Sequence, residues 1–273
     1  MVKSRRIIKR RLASSLTLLV IFAGCFIPQC FPGYARPPHD RGSDSSDRVN
    51  APGGYFAESG VGGLPLLFEA NIGQANSKAE FICRAGNCNL FLSPDEATFT
   101  PYRVVEKVGG NDGTLSSGGS KAKKSSIKYS EPVRMKLLGA RSKTELVGLD
   151  KLPGKANYFI GNDSGRWVKD APLYTKVKHE GVYEGIDLVY YGKQSQLEYD
   201  FVVAQGADPQ SIGIEFSGAK KVEINDQGDL ILYTSSGELR QKRPVIYQQK
   251  DGVRQEVGGG YVKLGDDRVG FQV

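Results

Sequence analysis

Three carboxylates in two neighbouring runs are the residues best placed for chemistry. In a strand over Leu197–Val203 (LEYDFVV), Glu198 and Asp200 lie on one face and the apolar side chains lie on the other. The run Ile186–Tyr191 repeats this alternation and contributes Asp187. Grouped carboxylates can bind Ca²⁺, and in glycosidases two of them act as an acid/base pair.

The connection between the two runs decides whether these carboxylates meet. A four-residue loop over Gly192–Ser195 places Asp187 opposite Asp200, and like charges directly opposed destabilise a sheet unless a cation or water compensates. A two-residue turn at Gln194–Ser195 pairs Asp187 with Val202 and keeps the apolar face intact. We favour the shorter turn with ordinary surface carboxylates. A Ca²⁺ site formed by the three carboxylates is the second hypothesis, and glycoside hydrolysis is the third.

The sequence offers little else for catalysis. It has two histidines, His39 and His179, and no G-x-S-x-G, H-E-x-x-H, P-loop or C-x-x-C motif. Trp167 and several tyrosines could line a sugar platform, but aromatic residues of β-domains are first of all core residues or cross-strand pairs. These tyrosines are Tyr158, Tyr174, Tyr183, Tyr190, Tyr191 and Tyr199. We therefore predict no catalytic residues and no cofactor.

Two cysteines lie close together in the middle of the chain. Cys83 and Cys88 flank Arg84–Asn87, which we predict to be a four-residue hairpin loop. The cysteines would then face each other, and in an oxidising compartment a disulfide is the favoured interpretation. The alternative is two half-buried thiols. A metal site needs more ligands than this pair supplies.

The first 35 residues predict export. Six basic residues precede an uncharged apolar stretch, Leu12–Ile27, and Pro28 follows. This arrangement is typical of a secretory signal peptide. A transmembrane anchor is the alternative, but the stretch is shorter than the roughly 20 residues that span a bilayer.

Small residues at Gly33 and Ala35 favour cleavage after Ala35. Phe22–Cys25 resembles a lipobox, although it has Phe where Leu is expected, so a lipoprotein anchored through Cys25 is the alternative. Ser4–Lys9 half-matches a twin-arginine signal, and we take the ordinary unfolded export route as the default. The predicted location is the cell surface or the extracellular space.

Removal of the signal changes the charge of the protein. The formal net charge is +7, and because residues 1–35 contribute six Lys and Arg and no acid, the remainder carries +7 − 6 = +1. A nearly neutral domain without a basic stripe argues against a nucleic-acid partner. The Lys121–Lys124 cluster lies in a Gly/Ser-rich run and is typical of a solvated loop.

Composition divides the remaining chain. Residues 36–63 are rich in Pro, Gly and Ser and predict a disordered spacer, and residues 108–125 predict a flexible insert. From residue 64 to 273, short β-branched and aromatic runs alternate with turn residues. We predict an all-β, antiparallel, sandwich-like domain, as one unit or two, that ends in a β-meander after Val222. The predicted strands before it are Ala97–Val105, Ser126–Leu138, Tyr158–Ile160, Leu173–His179, Ile186–Tyr191, Leu197–Val203 and Ile212–Phe216.

Four segments together resemble one family. Asn157–Pro209, Leu64–Gln74, Leu152–Tyr158 and Val269–Val273 are similar to the N-terminal domain of unknown function in bacterial cell-surface proteins that carry SBBP β-propeller repeats. The resemblance implies no established activity and no catalytic residues. It implies partners such as the propeller repeats, and because relatives continue into those repeats, it implies that this chain is a fragment or a truncated product.

The functional expectation is a non-catalytic module. We expect an exported structural or interaction domain that holds its neighbours, with a cell-surface glycan or protein as a further partner. The alternative is a carbohydrate-active domain that binds or hydrolyses glycans through its acidic strand face. We expect no stable transmembrane helix after cleavage.

Overall fold

The structure is a computed structural model that describes residues 18–29, 66–75, 78–85, 88–107, 124–142, 144–193, 196–235, 237–251 and 253–273. The predicted cleavage site at Ala35, the spacer at 36–63 and residues 108–123 of the insert lie outside this range. Among the described residues, no helix is long and apolar enough to cross a membrane.

The described chain is built of short and medium strands. They are β1 Leu18–Gln29, β2 Phe68–Ala70, β3 Phe81–Ala85, β4 Cys88–Leu92, β5 Glu96–Lys107, β6 Lys124–Tyr129, β7 Val133–Leu138, β8 Glu145–Tyr158, β9 Val168–Tyr183, β10 Ile186–Lys193, β11 Gln196–Val203, β12 Gly213–Ser217, β13 Lys221–Ile224, β14 Leu230–Thr234, β15 Gly237–Gln241, β16 Val245–Lys250, β17 Val253–Val257, β18 Gly260–Lys263 and β19 Arg268–Gln272. Two short 3-10 turns, Ser164–Arg166 and Pro209–Ser211, interrupt the loops.

The prediction of an all-β antiparallel fold is confirmed. The long strand β9 pairs with β8 along one edge and with β10 and β2 along the other. From β2 the pairing continues through β3, β4, β5, β7, β12 and β19 to β18. From β10 it continues through β11 to β1. All of these pairings are antiparallel.

The two arms of this large sheet pack face to face. The rings of Phe201 on β11 and Phe271 on β19 lie 5.6 Å apart, although the two strands belong to opposite arms. Tyr261 on β18 extends this contact, with its ring 5.4 Å from that of Phe271. The buried residues form one hydrophobic cluster that includes Phe68 and Phe99. The arrangement is sandwich-like, with the core between the arms.

Two predicted strands differ from the observed ones because of local chemistry. Ser126–Leu138 is divided into β6 and β7, since Pro132 lacks the N–H group that a continuous ladder requires. Of the predicted strand Tyr158–Ile160, only Tyr158 is in a strand, as the last residue of β8, and Phe159 and Ile160 lie in the loop that follows. β8 is a 14-residue strand that composition failed to predict. Its Pro153 and Gly154 fall in a stretch of shifted register, which an edge strand tolerates.

The C-terminal part is a series of hairpins. β13, β14 and β15 pair in order, and β16–β17 and β18–β19 form two further hairpins. Lys250 pairs with Val253, so two residues connect β16 to β17, as predicted from the Asp251–Gly252 pair. Asp251 has φ = 52°, which a type I′ turn requires at this position.

The strand β1 comes from the predicted signal segment. It runs antiparallel to β11 on one side and antiparallel to β16 and then β15 on the other. Within the described residues, β15 and β16 bond to β1 and not to each other. Val20 is 5% exposed between its neighbours.

Candidate functional site

The register of β10 and β11 settles the relation between the three carboxylates. Ile186 pairs with Val203 and Lys193 with Gln196, so two residues form the turn. Asp187 therefore lies opposite Val202, as the favoured shorter turn predicts, and the Asp187–Asp200 apposition does not form.

Asp187 belongs to a different local network. Its Oδ1 accepts a hydrogen bond of 2.7 Å from the Gly181 backbone N–H, and its Oδ2 lies 3.6 Å from the Lys178 ammonium. It therefore does not join Glu198 and Asp200 as a Ca²⁺ ligand. Across the described part of the chain, no group of three or more His, Cys, Asp or Glu side chains is arranged to hold a metal ion.

Glu198 and Asp200 are not ordinary surface carboxylates, and the prediction that they are is wrong. Glu198 is 5% exposed, and Asp200 is half-buried. They stand two residues apart on one face of β11, while the odd-numbered residues Tyr199 and Phe201 fill the core. We call Tyr191, Glu198 and Asp200 the carboxylate face, since Tyr191 lies directly opposite Glu198.

Asp200 is held in a partly desolvated position. The Tyr191 hydroxyl donates a 2.9 Å hydrogen bond to Asp200 Oδ1. Burial raises the pKa of Asp200 to about 6, and the negative charge of Glu198 acts in the same direction. The Tyr191 hydrogen bond and the charges of Arg254 and Lys193 oppose this rise in pKa but do not cancel it.

Glu198 is the more deeply buried member of the face. Burial raises its pKa, against the opposing effects of the Lys193 charge and a Tyr191 hydrogen bond. Its Oε2 has no hydrogen-bond partner among the described residues. Burial and then the Asp200 charge strongly raise the pKa of Tyr191. Each member of the face thus resists carrying a negative charge.

A cation–π pair lies beyond β1 from this face. The Arg254 guanidinium sits 4.0 Å from the Tyr247 ring centroid and donates a 2.8 Å hydrogen bond to the Tyr247 hydroxyl. Burial raises the pKa of Tyr247. β1 places Val20 opposite both Val202 and Tyr247, so this strand separates the carboxylate face from the Arg254 pair.

The chemistry open to the carboxylate face follows from this geometry. Two neighbouring carboxyl groups with raised pKa values are the kind of pair from which glycosidases take a general acid and its partner. However, a general acid must come within hydrogen-bond reach of its substrate, and Glu198 is buried.

Sequence reasoning missed a second buried carboxylate. Glu69 on β2 is 7% exposed. Its Oε2 accepts a hydrogen bond from the Tyr158 hydroxyl, and its Oε1 lies 3.8 Å from Arg84 Nε. Arg84 Nη2 also donates to the Tyr158 hydroxyl at 3.0 Å. We call these three residues the Glu69 cluster; they tie together β2, β3 and β8.

The Glu69 cluster is a structural connection. Burial and the hydrogen bond to Glu69 raise the pKa of Tyr158 to about 12, so this phenol stays protonated as a donor. Arg84 and Tyr158 are 74 residues apart in the chain. No local pattern in the sequence could have linked them.

The two cysteines do not face each other as predicted. Cys83 pairs with Leu90, and Cys88 pairs with Ala85, because the connection has two residues instead of four. All four side chains lie on the same buried face of the hairpin, and both cysteines are thiols in this structure. Burial, more than the nearby Glu69 charge, raises the pKa of Cys83 to about 12. The disulfide in exported protein stays a prediction.

The tyrosines considered for a sugar platform are dispersed. Tyr183 donates to the Leu138 carbonyl at 2.9 Å, and Tyr199 donates to Gln241 Oε1 at 2.8 Å. Tyr174 packs edge-on against Phe81. These contacts agree with the structural interpretation.

His179 also has a structural setting. It is 6% exposed, and its Nε2 lies 2.6 Å from Thr144 Oγ1. Burial lowers its pKa, so it stays neutral in the fold.

Trp167 lies in an exposed loop, residues 159–167, which we call the aromatic loop. Its ring meets that of Phe159 edge-on at 5.1 Å, and its Nε1 donates a 3.1 Å hydrogen bond to the Gly161 carbonyl. Phe159 is 60% exposed and Ile160 is 58% exposed. The loop therefore presents apolar side chains to solvent from an ordered frame.

Together these features define an antiparallel all-β domain with one hydrophobic core and buried carboxyl–tyrosine clusters. The model of the family described as Domain of unknown function (DUF7948) matches residues 68–273, and the chain belongs to this family. No curated protein and no solved structure gives a significant match to the chain.

Proposed function

We propose that this protein is an exported, non-catalytic structural or interaction module of a bacterial cell-surface protein. Its N-terminal basic run and uncharged apolar stretch support export. The domain holds neighbouring domains, among them β-propeller repeats of the SBBP type. The buried position of the carboxylate face supports a non-catalytic role, because a substrate has no direct access to Glu198.

The exposed aromatic loop is the observation that carries this proposal. Phe159 and Ile160 are adjacent in the chain, and both are more than half exposed. Folded proteins rarely leave large apolar side chains grouped in water unless the surface meets a partner.

The aromatic loop is also preorganised. Asp163 Oδ1 accepts a 3.0 Å hydrogen bond from the Gly165 N–H, and the Lys169 ammonium lies 5.6 Å from the Trp167 ring centroid. A loop already held in one conformation loses little entropy when it docks. This favours a lasting contact with a folded neighbour.

The test combines export and docking. Terminal sequencing of the exported protein should begin at Arg36, and an SBBP-repeat domain should bind the exported protein in calorimetry. The Phe159→Ser/Ile160→Ser variant should weaken this binding at least 10-fold. The control Val253→Ser/Leu264→Ser removes equally exposed apolar side chains elsewhere and should leave binding unchanged.

Four results would contradict parts of this proposal. Absence of binding, or an equal loss in both variants, would exclude the aromatic loop as the docking site. A diacylglycerol group on Cys25 would replace the cleavage at Ala35 with a lipoprotein anchor. Retention of the protein in the cytoplasm would exclude export.

A carbohydrate-active role of the carboxylate face is the second candidate. Two features favour it: the raised pKa of Asp200, and Glu198 Oε2, which has no hydrogen-bond partner in the described part of the chain. The test is a panel of glycosides and immobilised glycans. Hydrolysis or binding that is lost in Glu198→Gln, in a variant with unchanged melting temperature, would establish this function in place of the non-catalytic one.

A further inference from the structure

The strand β1 fills a gap in the sheet and does not extend an edge. Leu19 to Ala23 pair with Val203 to Tyr199 on β11, and Leu18 to Phe22 pair with Gln249 to Val245 on β16. Further along, Phe26 to Gln29 pair with Gln241 to Glu238 on β15. The occupant is therefore hydrogen-bonded on both sides, antiparallel to every neighbour.

The sheet cannot close this gap by itself. Neighbouring strands lie about 4.8 Å apart, so β11 and β16 are separated by roughly 9.6 Å with β1 between them, beyond hydrogen-bond reach. Removal of β1 would leave a row of backbone N–H and C=O groups unpaired on each wall. Unpaired strand edges readily accept another strand.

The walls of the gap are largely apolar, and they also carry Asp200 opposite position 22 and Arg240 opposite position 27. Phe201 and Val203 on β11 and Ile246 on β16 are 0–1% exposed, and Tyr247 is 8% exposed. Residues 18–29 contain no charged side chain. Val20 is 5% exposed, so a side chain at its position is enclosed by both walls.

We propose that in the exported chain this gap is a strand slot that binds an uncharged, extended apolar strand supplied by another exported protein. The inference rests on the proposed export, since cleavage after Ala35 removes residues 18–29. The slot then holds the donor strand by main-chain hydrogen bonds to β11 on one side and to β15 and β16 on the other.

A second copy of the chain is a poorer donor than another protein. Within residues 36–273, the longest uncharged runs are Ser59–Phe68, which Pro65 interrupts, and Ala85–Pro94, and apolar residues of both are already used in the core. Leu66 is 7% exposed and Phe68 is 0% exposed there. Residues 36–273 therefore favour a donor strand from another protein over one from a second copy.

The experiment uses the protein purified from the exported fraction. Intact mass first establishes whether residues 1–35 are absent. A synthetic peptide of residues 18–29, with Ser in place of Cys25 and two lysines added at each end, then serves as the donor probe. We expect one-to-one binding and at least 10-fold slower hydrogen exchange of the backbone amides of 197–203 and 245–249.

Two controls separate strand addition from apolar adhesion. A peptide with proline at positions 21 and 22 loses one N–H donor toward each wall, because successive residues of a central strand direct their N–H groups to opposite sides, and it should not bind. Val202→Arg in the protein should weaken binding of the unmodified peptide at least 10-fold. Val189→Arg should not weaken binding. Val189 is half-buried like Val202 and lies on the same face of the sheet, but it is on β10, one strand further from the gap.

Each result bears on the proposal. An exported protein that starts at Arg36 and does not bind the peptide, or that is protected at other amides, overturns the slot. A dimer that the peptide dissociates overturns the choice of a foreign donor, since a second copy then fills the gap. If the exported protein keeps residues 1–35, its own β1 still fills the gap, and the slot is not a site for another chain. The intact mass alone reveals this failure of the predicted cleavage.

Discussion

The Glu69 cluster and the carboxylate face bury the same chemical groups in opposite ways. Glu69 is accompanied by Arg84, whose Nε lies 3.8 Å from Glu69 Oε1, and by the Tyr158 hydroxyl. Glu198 and Asp200 share a sheet face with a tyrosine, but burial raises the pKa of each. Glu198 also has one oxygen without a hydrogen-bond partner in the described part of the chain.

This difference shows what a buried carboxylate needs. A hydroxyl that donates a hydrogen bond and a cation at ion-pair distance compensate Glu69 for lost hydration. On the carboxylate face, Glu198 and Asp200 each have the other's negative charge nearby, where a cation would be stabilising. We therefore expect the first cluster to stabilise the fold and the second to cost stability at neutral pH.

The largest expected effect is in the Glu69 cluster. Arg84→Met keeps an apolar stem but leaves Glu69 buried without its cation, so the free energy of unfolding should fall by about 3–4 kcal/mol. Urea denaturation measures this. Arg134→Met removes the exposed pair with Glu96 and should cost less than about 1 kcal/mol. Equal losses in the two variants would show that the cluster is no more than a surface ion pair.

The next effect depends on pH, and here the substitution is expected to raise the free energy of unfolding. The folded-state pKa of Asp200, about 6, lies above the unfolded value, so its contribution to stability is present below about pH 4 and is lost as pH rises through 6. Asp200→Asn should therefore be about 2–3 kcal/mol more stable than the wild type at pH 7.5, and this difference should vanish near pH 4. Urea unfolding at pH 4, 5.5 and 7.5 measures it.

An exposed aspartate supplies the control for this pH dependence. Lys176 lowers the pKa of Asp150, so Asp150→Asn should lose stability relative to the wild type above pH 4. A pH profile of Asp200→Asn parallel to that of Asp150→Asn would refute the burial of Asp200.

A smaller effect is expected for Tyr191 and not for Tyr158. Tyr191→Phe removes the hydrogen bond to Asp200 and should cost about 1.5 kcal/mol at neutral pH. Because this bond lowers the pKa of Asp200, its loss should move that pKa further upward in an NMR titration. Tyr158→Phe serves as the control and should leave the Asp200 titration unchanged. An unmoved Asp200 pKa in Tyr191→Phe would contradict the assigned contact.

The last prediction concerns reactivity. Cys83 is fully buried and its pKa is raised to about 12, so alkylating reagents should not modify it in the folded protein. Alkylation after denaturation without reductant then tests the predicted disulfide in exported protein. Two modified thiols would contradict the Cys83–Cys88 bridge, and an unmodified pair that reacts only after reduction would confirm it.

Local rules predicted most of the fold. Alternation of apolar and polar residues located β10 and β11, and the cost of opposed aspartates selected their register. The same rules missed β8, because its Gly, Pro and Lys content resembles a loop. Pairing to β9 makes it a strand.

These local rules could not predict which side chains are buried by segments far away in the chain. Alternation placed Glu198 on the face opposite the core but did not indicate that this face is covered. The contact of Glu69 with Arg84 and Tyr158 arises from strands far apart in the chain, and neither residue type nor spacing records it. The predicted register of the two cysteines was wrong for a simpler reason. The same sequence is compatible with a loop of two residues and with a loop of four.

The edge formed by β8 has a consequence for copies of the protein that are packed closely together. Among the described residues β8 forms backbone ladder pairs only with β9, so the backbone of its other side is open to neighbours. Lys151, Pro153 and Lys155 interrupt that side with charge, a missing donor and shifted register. Copies packed at high density would find no continuous ladder there to extend, and the edge protects the protein against fibrous self-assembly.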